Sequence, residues 1–103
     1  MAKGAVKKEL TDIDVKRKAV KLVIAHLKKK LNRDFIGSEY VNEWISNMEK
    51  LLEKPEFVIL EYIEMRKALN DVIESTLDEE IRYKLRDSWY SLGKALDKKV
   101  KIN

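Results

Sequence analysis

Arg17, Lys18, Lys21, Lys28 and Lys29 recur along one arc of a helical segment near the start of the chain, with only Asp14 opposing them and Lys16, Lys30 and Arg33 at its edges. Closely spaced cations of this kind track a phosphate backbone, because neutralising phosphates releases condensed counterions. The plainer alternative is a solvated lysine face that balances acidic segments elsewhere. The whole chain is polarised in the same sense. Residues 1–33 hold 11 Lys/Arg against 3 Asp/Glu, residues 34–93 hold 7 against 14, and residues 94–103 hold 4 against 1. The net charge of +4 therefore hides a basic pole suited to phosphate or to an acidic protein surface.

A second set lies near the C-terminus. Counted from the apolar stripe of that segment, Tyr83, Arg86, Tyr90 and Lys94 fall on the outward side, with Lys101 beyond. Flat rings mixed with cations stack unpaired bases or anchor a protein interface. Their alternative is ordinary exposed tyrosines lying over lysine stems. Gly93, in the same segment, costs about 1 kcal/mol relative to alanine inside a helix and marks a close approach of some partner. Arg66 falls inside an apolar arc beside Ile59, Tyr62, Leu69 and Ile73, where a cation must pair or snorkel. A ligand-binding arginine is the other reading.

Residues for covalent or acid–base chemistry are sparse. His26 is the sole histidine, lies on an apolar flank and has no carboxylate three or four residues away to orient it, so it reads as a packed or boundary residue. No Glu-x-x-His pair is present for a di-metal bundle, and cysteine is absent, which removes thiolate sites and disulfides. Glu61 with Glu64 makes a weak acid/base candidate. Asp78-Glu79-Glu80 is explained more simply by a helix N-terminus that favours negative charge. With no phosphate-binding glycine loop, nucleophile elbow or helix-turn-helix signature, neither an enzyme nor a cofactor or metal site is expected.

The elements that must position these residues are helices. Thr11 with Asp14 opens a capping-box-like start to a first helix over 12–32, striped by Ile13, Val20, Ile24, Leu27 and Leu31. Val15, Ala19, Leu22, Val23 and His26 add a second flank, as expected of a helix touched on both sides, with a self-association surface as the alternative. After a loop over 32–37, Ser38 is the expected N-cap of a second helix striped by Val41, Trp44, Met48, Leu51 and Leu52. Pro55 closes it and suits the first turn of a third, striped by Val58, Tyr62, Met65, Leu69 and Val72. A fourth, capped by Ser75 or by Thr76 with Glu79, carries Ile81, Leu85, Trp89, Leu92 and Leu96. Trp44 and Trp89, central in their stripes, are expected to be largely buried.

No glycine or proline separates residues 55 and 93, and Ile73, Leu77, Ile81 and Leu85 run on at four-residue spacing. A continuous third helix, forming a three-helix homodimer, is therefore the alternative. The expected fold is an all-α antiparallel four-helix bundle over 11–103 with a basic arm at residues 1–10 and more than about three-quarters helix. Residues 1–10 lack the apolar run of a signal peptide, and VKLVIAHL and FVILEYI fall short of the roughly 20 residues of a membrane span. The expected setting is soluble and cytoplasmic. The leading expectation is a small accessory protein that engages DNA or RNA through its basic first helix and termini, without strong sequence preference. The competing class is an adaptor, inhibitor or immunity-type bundle that docks on another protein through the aromatics of the fourth helix and acidic helices two and three.

Overall fold

A computed structural model describes residues 11–31 and 33–100; the arm at 1–10 and the tail at 101–103 lie outside the described residues. Four helices follow one another: α1 (Asp12–Lys30), α2 (Ser38–Glu53), α3 (Ile59–Ser75) and α4 (Glu79–Asp97). Helix accounts for 80% of the described residues, above the three-quarters expected, and none of them is in a strand. Each helix packs on its two neighbours in the square and the diagonal pairs stay apart, so α1 lies against α2 and α4, and α3 against the same two. The stripes meet inside. Val20, Ile24 and Leu27 of α1 face Val41, Trp44, Ile45 and Met48 of α2, Tyr62, Leu69 and Ile73 of α3, and Ile81, Leu85, Leu92 and Leu96 of α4. Each fully buried aliphatic side chain contributes about 1.5–3 kcal/mol relative to its exposed state, which is why the helical period dictates the packing.

The helices end on one another. The Arg17 guanidinium of α1 donates to the carbonyl oxygens of Lys54 (3.3 Å) and Pro55 (3.0 Å), just past the end of α2. Lys16 donates to the carbonyl of Lys98, the C-cap of α4, and Lys84 of α4 donates to the carbonyl of Lys30 at the end of α1 (3.0 Å). Three C-termini, each carrying unpaired carbonyls and partial negative charge, thus receive a cation from an adjacent helix. The fourth is closed locally, the Thr76 hydroxyl donating to the Val72 carbonyl at 2.7 Å. The antiparallel arrangement brings Thr11 and Val100 to one end, where the Val100 N–H donates to Asp12 Oδ1 at 2.8 Å.

Boundaries differ from the sequence reading in four places. α1 stops at Lys30, with Leu31 as C-cap. The N-cap of α2 is Gly37, whose φ of 86° belongs to the left-handed region, so the chain turns there and Ser38 is already helical. α3 begins at Ile59, and Pro55 sits in the link instead of the first turn, because Phe57 is drawn into the core and stacks on Tyr62 with ring centroids 4.2 Å apart. α4 is capped by Asp78, whose Oδ1 accepts from the Ile81 N–H at 3.0 Å; Thr76 instead belongs to the end of α3. The break between α3 and α4 removes the continuous-helix alternative. The opening of α1 is as expected: Thr11 and Asp14 exchange hydrogen bonds at 3.1 Å as a capping box.

Candidate nucleic-acid interface

The outward arc of α1 separates into two groups of cations. Lys18, Lys21 and Lys29 are exposed and make no ion pair or side-chain hydrogen bond among the described residues. Arg17 and Lys28 are engaged. Arg17 lies half-buried on the α2–α3 link with its guanidinium carbon 5.9 Å from the Phe57 ring centroid, and Lys28 pairs with Glu49 of α2 at 2.8 Å. The cations at the edges are engaged too: Lys30 pairs with Asp87 at 3.1 Å, and Arg33 with Asp78 (2.9 Å) and Glu80 (3.1 Å). These engaged cations sit where an acidic helix or link passes close by. Lys21 shares the helix face of Arg17 and Lys28, four and seven residues away, while Lys18 and Lys29 each lie one residue further round the helix.

A shallow groove of about 520 Å³ between α1 and α4 extends the free group. Lys18 stands on one side and Lys94 and Lys98 on the other, over an apolar floor of Val15, Ala19, Leu22 and Ala95. The one carboxylate in the lining, Asp14, is committed to the capping box with Thr11. Lysine stems over an apolar floor keep their ammonium heads in water, as a contact with phosphate oxygens requires.

Charge at the opposite end of the bundle is neutralised internally. The Ile81 N–H and then the Arg33 guanidinium hold the Asp78 carboxyl below the usual carboxylate range, while Arg33 and Lys84 do the same for Glu80. The two carboxylates raise Arg33 in return. This end is a clasp between the α1–α2 and α3–α4 links.

On α4, Tyr83 (73% exposed) and Tyr90 (58%) stand on the outer face with Arg86 and Lys94, as their spacing predicts. Arg86 and Lys94 make no ion pair among the described residues. Two helical turns separate the tyrosines, about 10 Å. Tyr90 meets Trp89 edge-on at 5.3 Å between centroids. His26, expected to be packed or at a boundary, is exposed, because the buried arc of α1 is centred on Val20, Ile24 and Leu27 and leaves the second flank at its margin. Leu22 on that flank is 53% exposed as well.

Arg66 and Gly93, singled out separately by the sequence, prove to be one feature. Arg66 Nε donates to the Trp89 carbonyl at 2.9 Å and the Trp89 indole N–H donates back to the Arg66 carbonyl at 3.1 Å. The guanidinium carbon sits 3.6 Å from the Trp89 ring centroid, a close cation–π contact. A Cβ on Gly93 would lie 2.5 Å from Arg66 Nη2, so the bare backbone of α4 makes room for the guanidinium. No group of acidic, histidine or cysteine side chains among the described residues is arranged to hold a metal ion, and no described helix is long and apolar enough to cross a membrane. The chain matches no family model, and neither curated proteins nor solved structures give a match.

Proposed function

We propose that this chain is a small non-enzymatic accessory protein that binds nucleic acid through the phosphate backbone, without strong sequence preference, using the outer face of α1 and the adjoining end of α4. The supporting observation is the row of cations without a partner among the described residues, Lys18, Lys21 and Lys29, with Lys94 and Lys98 across the shared groove. Lysines already engaged with carboxylates would have to exchange one partner for another; these need not. Arg17 and Lys28 contribute less, since each has an intramolecular role.

Anisotropy with fluorescein-labelled DNA and RNA duplexes and single strands, measured across a salt series, tests this reading. Changing Lys18, Lys21 and Lys29 together to glutamine should weaken binding and reduce the log–log salt slope by up to about 3. An unchanged slope, or no binding by the unaltered protein at low salt, would overturn it. The second reading, a protein adaptor, is favoured by the exposed pair Tyr83 and Tyr90 with Arg86, which pairs with no described carboxylate, between them. Alanine at both tyrosines should then damage a protein complex by more than about 2 kcal/mol while leaving backbone-driven nucleic-acid binding within a few-fold.

A further inference from the structure

Between α3 and α4 runs an open groove of about 890 Å³, on the side of α4 away from the lysine groove. Ile59 and Ile63, each more than a third exposed, form one wall, and Trp89 and Tyr90 with the bare backbone at Gly93 form the other. Arg66 crosses between them. Its Nε is tied to the Trp89 carbonyl and its guanidinium rests over the Trp89 ring, yet no described residue accepts a hydrogen bond from its terminal N–H groups and no described carboxylate pairs with it. Lys67 and Lys94 flank the same opening. The two carboxylates in the lining, Asp71 and Asp97, belong to opposite ends: with Arg66 level with Trp89 in antiparallel helices, Asp97 lies beside Ile59 and Asp71 lies beyond Trp89.

The volume and the mainly apolar lining suit a small organic molecule. An arginine free in solution gives up rotamer freedom when it binds an anion. This one is already held at Nε and over the ring, with its forked terminal donors left over, and a guanidinium fork matches the two oxygens of a carboxylate or phosphate. The helix also accepts a glycine at residue 93, which makes the space Arg66 occupies. We infer that the α3–α4 groove is a binding site for a small amphipathic anion, a flat apolar body seated against Ile59, Ile63 and Tyr90 whose carboxylate or phosphate is taken by Arg66. The site is independent of the nucleic-acid reading and shares only Lys94 with that surface.

The two indole N–H signals in ¹H–¹⁵N spectra provide the readout, since Trp89 borders the groove and Trp44 is buried on the other side of α3. The probes are 1-naphthyl phosphate, 1-naphthoate, neutral 1-naphthol and inorganic phosphate. Either naphthyl anion should shift the Trp89 signal with saturation and leave that of Trp44 in place, binding at least about tenfold tighter than naphthol or inorganic phosphate. The tighter of the two anions identifies the headgroup. R66Q should weaken the anions about tenfold. G93A should do the same by displacing the guanidinium, while keeping all charges and the helix; because the atoms it displaces end a flexible side chain, its fold is retained even if that of R66Q is not. The K18Q/K21Q/K29Q protein should bind both anions within about twofold of the unaltered chain. Equal binding of naphthol, inorganic phosphate binding as tightly as the naphthyl anions, or full affinity in folded G93A would overturn the assignment.

Discussion

Two tryptophans clamp α3 from its two packed sides with the same bond, yet they are set for different work. Trp44 of α2 donates its indole N–H to the Met65 carbonyl at 2.8 Å, and Trp89 of α4 donates to the next carbonyl along, that of Arg66, at 3.1 Å. Trp44 is 4% exposed and belongs to the hydrophobic core, so its contribution is cohesion. Trp89 is half-buried, carries a guanidinium on its face and borders a groove. A shared hydrogen bond therefore says little about role; what covers the rest of the ring decides it. The expectation that both indoles are largely buried holds for Trp44 and only in part for Trp89.

This contrast can be broken by mutation. The largest effect is expected from W44A, which opens a core cavity and should cost about 3–5 kcal/mol in chemical denaturation. W89A should cost about 2 kcal/mol, because part of the ring is already in water and the space left behind fills with solvent. Equal losses would erase the distinction between the two rings. Iodide should quench Trp89 fluorescence in the folded protein and spare Trp44, a check visible in the single W44F and W89F proteins. G93A should change stability by no more than about 1 kcal/mol, the gain in helix propensity offsetting the displaced arginine. Smallest of all, K18Q/K21Q/K29Q should move stability by about 0.5 kcal/mol or less, since nothing in the fold leans on those side chains. A larger loss would mean that the free lysines are structural after all.

The four helices were legible because each stripe keeps a helical period over about three turns or more and Thr11 with Asp14 spells out its own cap. The link after α2 was harder. Pro55 is compatible with a first helical turn, and only the burial of Phe57 against Tyr62, a contact made in three dimensions, pulls the start of α3 to Ile59. At the α3–α4 break, Ser75, Thr76 and Asp78 are all acceptable caps by type; Thr76 is spent on the Val72 carbonyl, which leaves Asp78. Arg66 and Gly93 were each visible as anomalies. Joining them needed the register between α3 and α4, which no spacing within one helix encodes. The division of the α1 cations into engaged and free likewise depends on which neighbour passes near, as with Glu49 beside Lys28.

The square packing has a kinetic consequence. α1 is the first helix in the chain, but its most extensive partner is α4, the last, so its buried stripe of Val20, Ile24 and Leu27 stays uncovered on that side until the chain has closed on itself. Closing so long a loop slows folding more than it lowers stability. Thr11 and Val100 emerge at the same end, with Val100 bonded to Asp12 beside Thr11. A circular permutant that joins these ends by a short linker and opens the chain at exposed Leu77 would turn the most distant contact into a neighbouring one. Such a permutant should refold faster in stopped-flow dilution, with the acceleration confined to the folding limb.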